Sequence, residues 1–348
     1  MNSVERTWYA STPPAPAWRS PLLHAAALAF EGVVRARGFI YDQRYLPAHR
    51  VGARVISIGN LTAGGAGKTP VTLLLGERLL AQGKRVAILS RGYGGRGRSA
   101  RVAADGTIYL DARIAGDEPV LLARRLPGAA VLVGADRVRL AQQAIADHRA
   151  EVILLDDAFQ HRRLARDEDV LVLGGVRPLG NGALLPAGPL REPAEGAARA
   201  TVAWLSNGAD QAALLPQLPR RQVVSRYRPT ALTDLDLKQT HKLAQLKKRR
   251  VMLLAGLARP EGFRDSVRAL GAEIVGEAFF ADHHRFTAGE LAAVVAQAKR
   301  LRANLLLTTE KDAMRLLSGA QPAMETAVLR IDVEILQGDA VVAELCTC

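Results

Sequence analysis

The chain has 348 residues, which is enough for about two domains with sizeable cores. Hydrophobic residues make up 49% of it and aromatic residues 5%, a balance that is ordinary for a soluble α/β protein. The 47 lysines and arginines outnumber the 34 aspartates and glutamates, and the net charge of +13 favours anionic partners: nucleic acid, an acidic membrane surface or a phosphorylated substrate. Cys346 and Cys348 have neither disulfide-framework nor metal-site spacing, which favours a reducing cytosol.

Residues 1–50 are predicted to form an N-terminal amphipathic helical segment. No signal peptide is expected there, because a Pro/Ala stretch takes the place of an apolar core. The longest uncharged stretch, Ser20 to Phe30, is far short of the ~20 residues that a membrane-spanning helix needs. The helix could lie in a membrane interface or pack on the protein's own core, since both environments select the same pattern. Its apolar residues share one helical face: Leu23, Ala26, Ala27, Phe30, Val33 and Val34.

Short β-branched runs alternate with helical patterns over residues 51–225, the first predicted α/β domain. Predicted strands cover residues 54–60, 85–90, 130–134, 151–157, 169–175 and 200–207, and predicted helices cover residues 69–82 and 136–147. Strands that are apolar throughout and separated by helices indicate a parallel sheet covered on both faces.

The second predicted domain, residues 226–348, is a smaller α/β domain with connecting strands. The stretch QVVSRYRPTALTDL (222–235) has strand character without a following helix and is typical of a connector. A strand-to-helix pattern restarts at RVMLLAGLARPEGF (250–263), and NLLLTTEKD and AVLRIDVEI supply further strands.

The stretch SIGNLTAGGAGKT (57–69) places a glycine-rich loop between a predicted strand and a predicted helix. In a P-loop, backbone N–H groups converge on phosphate oxygens at a helix N-terminus, the lysine reaches the β- and γ-phosphates, and the adjacent threonine holds Mg²⁺. The usual pattern has glycine where this chain has Thr62, and the alternative is a glycine-rich turn with a surface lysine. The predicted nucleotide-binding residues are Thr62, Ala63, Gly64, Gly65, Ala66, Gly67, Lys68 and Thr69.

The stretch VILLDD (152–157) is an apolar strand that ends in two carboxylates, the arrangement by which P-loop proteins hold Mg²⁺. Alone this pattern is common. The P-loop strengthens it, because the ligands of α/β sheets gather at the carboxyl ends of the strands. Asp156 and Asp157 are therefore predicted metal ligands, together with Thr69.

Three further clusters have chemical character. LSRGYGGRGR (89–98) concentrates arginines among glycines, which suits anion capture or simply a solvated loop. AGDEP (115–119) puts Asp117 and Glu118 at a helix start, where capping is the alternative explanation. DHHRFT (282–287) sets His283 beside a carboxylate that could tune a general base, although such a histidine is often structural.

Eight motifs occur in the order typical of the tetraacyldisaccharide 4'-kinases, the lipid A 4'-kinases of Gram-negative bacteria, and the chain resembles that family from about residue 20 to residue 316. They are SIGNLTAGGAGKTPVT, LSRGYG, GDEP, ADR, LLDDAFQHRRL, LLPAGPLREP, ADHHRF and TTEKDAMRL. The family's loop also lacks the usual first glycine, so Thr62 fits it. Ala158 is a difference, because family members usually carry glycine after the paired aspartates.

The resemblance implies ATP-dependent phosphorylation of the 4'-hydroxyl of a tetraacylated glucosamine disaccharide 1-phosphate, which gives lipid IVA. It also implies a P-loop NTPase-like parallel-sheet domain, a second smaller α/β domain, a two-stranded linker, and an N-terminal helix that meets the cytoplasmic face of the inner membrane. ATP and Mg²⁺ are the expected cofactors. The positive charge then has an explanation, since the lipid substrate and its bilayer are both anionic.

By similarity, Asp117 is expected to be the base at the sugar hydroxyl, with His283 as its dyad partner and Lys68 stabilising the γ-phosphoryl group. The predicted domain boundary separates Asp117 from His283, so this dyad would need domain closure. Residues expected to support the site, or to contact substrate or phosphate, are Glu118, Arg137, Arg91, Tyr93 and Arg191.

Two other classes of P-loop protein fit less well. A membrane-associated partitioning ATPase carries a second lysine in its loop, and Ala63 occupies that position here. A nucleic-acid-binding ATPase would suit the charge, but the sequence has no aromatic-rich basic stripe or recognised nucleic-acid module. Nucleic acid is therefore not an expected partner.

Overall fold

A computed structural model of the chain describes Trp8 and residues 21–92, 100–175, 177–207 and 218–347. The chain forms two compact units, each assembled from separate segments. Of the described residues, the larger unit contains Trp8 and residues 21–91, 128–175, 177–207, 218–227 and 333–347, and the smaller unit contains Gly92 and residues 100–127 and 228–332.

Strands and helices are numbered in chain order. The strands are β1 (Arg54–Gly59), β2 (Val86–Ser90), β3 (Ala100–Ala104), β4 (Thr107–Ile108), β5 (Ala130–Val133), β6 (Val152–Asp156), β7 (Glu168–Gly174), β8 (Val202–Ser206), β9 (Gln222–Thr233), β10 (Thr240–His241), β11 (Arg250–Gly256), β12 (Glu273–Phe280), β13 (Leu305–Thr309) and β14 (Thr326–Gln337). The helices are α1 (Pro21–Asp42), α2 (Lys68–Ala81), α3 (Ala112–Ala115), α4 (Asp117–Arg125), α5 (Arg137–His148), α6 (Glu261–Ala269), α7 (Ala288–Arg300), α8 (Glu310–Leu317) and α9 (Asp339–Cys346).

The larger unit is built on a parallel sheet with strand order β9-β8-β7-β1-β6-β2-β5. Every neighbouring pair in that order runs parallel. β2, β5, β6 and β8 are buried along their whole length, as expected for strands covered on both faces. The predicted parallel sheet is therefore confirmed, and its strands lie where the β-branched runs place them.

The helix α1 lies on the surface of the larger unit, and none of its residues is fully buried. Its last turns are attached to the loop after β6: Arg162 donates to the Gly38 carbonyl at 3.1 Å and to Asp42 Oδ1 at 2.5 Å, and Arg37 donates to the Gln160 carbonyl at 3.0 Å. The predicted apolar face is divided, since Ala26 and Val33 are exposed while Leu23, Ala27, Phe30 and Val34 are half-buried. Within the described residues, no helix has the length and apolar character that crossing a membrane requires.

The smaller unit also contains a parallel sheet, with strand order β12-β11-β13-β14. Alternate residues of β11 belong to different core clusters, because successive side chains of a strand point to opposite faces. Val251 and Leu253 pack with Phe263 and Val267 of α6. Met252 and Leu254 belong to the cluster that holds Leu291 and Val294 of α7, together with Leu316 of α8. Helices therefore cover both faces of this sheet.

The two units differ from the domains expected from the sequence. Residues 92–127, expected in the first domain, group with residues 228–332, and residues 333–348 group with the larger unit. β9 and β14 each contribute residues to both units. Asp117 and His283 lie in the same unit and are not divided between two domains. The expectation that domain closure assembles this pair is therefore wrong.

Candidate active site

The predicted P-loop lies where β1 ends and α2 begins, in the larger unit. Gly59 ends β1, and a Cβ atom at this position would lie 2.5 Å from the Phe159 backbone nitrogen, so only glycine fits. The loop is held on its other side by the segment before Arg191: Ala63 donates its N–H to the Pro189 carbonyl at 2.7 Å, and Arg191 donates to the Leu61 carbonyl at 2.8 Å. Backbone hydrogen bonds thus hold the loop in place, and Lys68 and Thr69 lie in the first turn of α2.

Lys68 is buried and lies between two oxygen atoms. Its Nζ donates to Asn60 Oδ1 at 3.2 Å and lies 3.4 Å from Asp157 Oδ1. Arg191 donates to the same Asp157 oxygen at 2.8 Å. Burial raises the pKa of Asp157, but the charges of Lys68 and Arg191 outweigh this effect and leave the pKa below its ordinary value. Asp157 is therefore an ionised carboxylate beside the loop lysine.

Asp156 is also buried, at the carboxyl end of β6. Ser90 and Thr72 donate to its two carboxylate oxygens, each at 3.4 Å. Arg137, the first residue of α5, is buried nearby; burial lowers its pKa to about 10 although the charges of Asp156 and Asp157 act in the opposite direction. β1, β6 and β2 are neighbours in the sheet, so their carboxyl ends bring the loop and these polar groups together, as in other α/β ligand sites.

The smaller unit holds the second group of predicted residues. Asp117 is the first residue of α4 and is buried, and its Oδ2 lies 3.0 Å from His283 Nδ1. Its other oxygen, Oδ1, accepts the Glu118 backbone N–H at 2.9 Å. His283 follows β12 in a left-handed conformation with φ 58°, and its N–H donates to Asp282 Oδ1 at 2.9 Å. The structure therefore forms the acid–imidazole pair that the motifs suggest.

Two residues of α8 complete this cluster. Arg315 contacts Asp117 Oδ2 through Nε at 2.8 Å and through a terminal nitrogen, while its second terminal nitrogen donates to Asp312 Oδ1 at 2.8 Å. Asp312 is fully buried and accepts the Gly256 N–H at 3.1 Å, which ties the arginine to the end of β11. Lys311 forms an ion pair with Glu118.

These contacts set the charge of the pair. Burial raises the pKa of Asp117, yet the His283 hydrogen bond and the charges of Arg315 and Lys311 outweigh it and hold that pKa well below the ordinary value. The hydrogen bond with Asp117 raises the pKa of His283. The geometry therefore stabilises a carboxylate at Asp117 and favours an imidazolium at His283.

The loop that carries His283 is fixed by its neighbour. His284 Nε2 lies 3.1 Å from both carboxylate oxygens of Glu290, and its ring stacks on Phe280 at 4.6 Å between centroids. Glu290 is also half of a capping box with Thr287 at the start of α7. His284 thus has a structural role, while the adjacent His283 faces Asp117.

A family model described as tetraacyldisaccharide-1-P 4'-kinase matches residues 19–347. The chain belongs to this family. Among curated relatives of the tetraacyldisaccharide 4'-kinase family, a protein so named from Anaeromyxobacter dehalogenans (strain 2CP-C) is 49% identical, with 97% of this chain and 93% of the relative covered. One from Syntrophus aciditrophicus (strain SB) is 39% identical, covering 91% of this chain and 90% of the relative.

A solved member of the tetraacyldisaccharide 4'-kinase family has the same fold. The crystal structure of the "apo" form of LpxK from Aquifex aeolicus in complex with ATP superposes with a TM-score of 0.76 at 29% identity. The match covers 93% of this chain and 97% of that one.

The predicted site residues of this 4'-kinase family member fall into two groups. Lys68, Thr69, Asp156, Asp157, Arg137 and Arg191 gather in the larger unit with the loop residues 62–67, and Arg91 is exposed just after β2. Asp117, Glu118 and His283 gather in the smaller unit. Tyr93 lies outside the described residues. Ala158 is buried, and its N–H lies 3.3 Å from the Ile58 carbonyl.

Three residues make site contacts that the sequence does not predict: Asn60, Lys311 and Arg315. Asn60 lies in the SIGN motif, and Lys311 and Arg315 lie in TTEKDAMRL. The sequence does not show which residues these side chains contact. Arg315 is 198 positions from Asp117. Only the motif itself could have drawn attention to these residues.

Proposed function

We propose that this chain transfers the γ-phosphate of ATP to the 4'-hydroxyl of a tetraacyldisaccharide 1-phosphate, producing lipid IVA in lipid A biosynthesis. The observation that carries the proposal is the presence, in a member of this family, of two groups of side chains suited to phosphoryl transfer, one within each unit. The larger unit has a P-loop lysine beside paired aspartates. The smaller unit has an ionised carboxylate paired with histidine.

The P-loop is the proposed site for the phosphates of ATP. Residues 62–69 precede and open α2, where backbone N–H groups and the helix dipole favour anions. Lys68 neutralises charge on the γ-phosphoryl group as it transfers. In the structure its Nζ is 3.4 Å from Asp157, so the lysine is held at this loop by an acidic neighbour and is not extended into solvent.

Asp117 is the proposed acceptor of the proton from the sugar hydroxyl. A general base must be in its basic form at working pH, and the contacts around Asp117 keep its pKa low and its carboxylate ionised. Oδ2 is already occupied by His283 and Arg315, so Oδ1, with one backbone donor, is the oxygen that we assign to the hydroxyl. His283 orients the carboxylate through its hydrogen bond to Oδ2.

Asp156, Asp157 and Thr69 are the proposed Mg²⁺ site. Mg²⁺ prefers oxygen ligands and is usually held by one or two carboxylates together with substrate phosphates. The donor set fits this description. Among the residues that the structure describes, no group of three or more His, Cys, Asp or Glu side chains could hold a metal. Substrate phosphate oxygens and water would supply the other ligands. When bound, Mg²⁺ neutralises charge on the β- and γ-phosphates.

We also propose that α1 meets the cytoplasmic face of the inner membrane, where the lipid substrate resides. Its exposed apolar side chains support this proposal: Leu22 is 81% exposed, Leu28 and Val33 are each 68% exposed, and Phe39 is 58% exposed. Exposed large apolar side chains that recur along one helix are typical of an interaction surface. The net charge of +13 favours an anionic bilayer.

The deciding experiment incubates the purified full chain with Mg²⁺, γ-labelled ATP and detergent-dispersed tetraacyldisaccharide 1-phosphate. We expect label at the 4' position of the lipid product. Lys68→Ala should lower turnover by on the order of 10²-fold or more, because it removes a charge that acts in the transition state. The matched control is Lys299→Ala, an exposed lysine of α7. ATP hydrolysis without lipid phosphorylation would overturn the proposal.

A further inference from the structure

Tyr227 lies against the P-loop although it is 160 positions away in the chain. Its hydroxyl oxygen is 3.0 Å from the Gly67 carbonyl oxygen and 3.0 Å from Ser206 Oγ. Gly67 has φ 84°, and a Cβ atom there would lie 1.7 Å from the tyrosine oxygen. The ring and the loop therefore fit together only because residue 67 is glycine.

The hydrogen-bond directions in this cluster follow from the chemistry of the groups. A carbonyl oxygen only accepts, so the single phenol proton of Tyr227 goes to Gly67, and Ser206 donates its hydroxyl proton to Tyr227. Burial raises the pKa of Tyr227 to about 12, so the phenol keeps this proton at neutral pH. Ser206 Oγ is 3.3 Å from Ser225 Oγ, which accepts from Trp204 Nε1 at 2.9 Å. A polar chain thus leads from buried β8 to the loop.

The Gly67 carbonyl matters because of what lies on the other side of its peptide bond. The C=O of Gly67 and the N–H of Lys68 belong to one planar trans unit and point in opposite directions. A donor that fixes the carbonyl therefore fixes the direction of the Lys68 N–H. This N–H is one of the orphan donors at the start of α2, the kind of group that receives phosphate in a P-loop.

We propose that Tyr227 is a positioning residue for nucleotide binding, which holds the Gly67–Lys68 peptide in the orientation that presents its N–H to a phosphate. This inference rests on the proposed role of the loop as the ATP site. It adds a residue outside the glycine-rich motif, supplied by β9 at the position where the chain leaves the larger unit. Tyr227 touches the loop backbone and acts through it.

The test is Tyr227→Phe, which keeps the ring and removes the phenol oxygen. ATP binding with Mg²⁺ is measured by isothermal titration calorimetry without lipid. Because the variant loses one hydrogen bond that orients the loop, Kd for ATP should rise roughly fivefold, the effect of a typical net hydrogen bond. KM for ATP should rise in parallel while KM for the lipid stays unchanged. The control is Tyr109→Phe, a tyrosine that is 49% exposed in the smaller unit.

Ser206→Ala gives an independent test, because it removes the donor to the Tyr227 oxygen and leaves the contact with Gly67. A smaller rise in Kd, about twofold, is expected. An unchanged Kd in Tyr227→Phe with a lower melting temperature would assign the tyrosine to packing alone and overturn the inference. Failure of the proposed function is distinguishable, since it would be seen in the unaltered chain as an absence of lipid phosphorylation, whatever the two variants do to Kd for ATP.

Discussion

Two side chains, His283 and Arg315, contact Asp117 Oδ2 through their nitrogen atoms. These contacts keep the proposed base ionised. Burial alone would favour the protonated carboxyl group, which could not accept a proton. His283 and Arg315 reverse that preference, at 3.0 Å and 2.8 Å from the oxygen. A low pKa makes Asp117 a weak base, and it operates by position: the carboxylate is ionised, oriented and ready when the hydroxyl arrives.

Arg315→Met should separate the charge of the arginine from its bulk. Without this charge, burial weighs more heavily and the pKa of Asp117 rises. A carboxyl group with a raised pKa is ionised only at higher pH, so the acid limb of the kcat/KM profile should move to higher pH. The ratio of the variant's kcat/KM to that of the unaltered chain should therefore be lowest at the acid end of the accessible pH range and should rise as the pH is raised.

The measurement is the pH profile of kcat/KM, with Arg300→Met on the exposed end of α7 as control. Arg315→Lys should restore part of the shift, because it returns the positive charge. A uniform loss of activity with an unmoved acid limb would mean that Arg315 only supports the packing of α8.

At the scale of elements, the sequence predicts those helices and strands that depend on residues adjacent in the chain. The parallel strands from β1 to β8 follow local apolar runs, and α2 begins directly after its glycine-rich loop. The sequence predicts the helix α1 but not the residues that it contacts. An amphipathic pattern does not specify which apolar residues meet the protein and which stay exposed, since that depends on the distant loop around Arg162.

The exposed residues of α1 provide a test of membrane contact. Leu28→Asp with Val33→Asp should lower binding to vesicles of anionic phospholipid by about tenfold or more, because it places two charges in an apolar contact. The melting temperature should hardly change, since both side chains are 68% exposed. Binding is measured by vesicle sedimentation.

Leu336→Asp is the matched control, because Leu336 is 50% exposed and belongs to β14 and not to α1. Vesicle binding that survives the α1 double variant, or falls equally in Leu336→Asp, would contradict a specific role for this helix.

At the scale of the whole molecule, the chain does not divide where its sequence pattern changes. Residues 100–127 join the smaller unit through contacts such as those of Asp117 with His283 and Arg315, and of Arg125 with Glu310 at 2.7 Å. These pairs are separated by well over a hundred positions, and no local propensity encodes them. The family motifs pointed to Asp117 and His283 as partners, but only the fold reveals that one unit holds both.

The net charge of +13 is a property of the entire chain, so its effect on membrane binding is tested on the full chain. If charge and the apolar face of α1 act together, binding to anionic vesicles should weaken by about tenfold or more between 50 mM and 500 mM NaCl, because the screening length shortens several-fold over this range. Binding to zwitterionic vesicles should be weak and nearly independent of salt, since only the apolar contact remains. A parallel filter-binding assay with double-stranded DNA is the control, and nucleic acid should be retained weakly at both salt concentrations. Tight, strongly salt-dependent retention of DNA together with salt-insensitive vesicle binding would contradict the proposal, because the positive charge would then serve nucleic acid and not a bilayer.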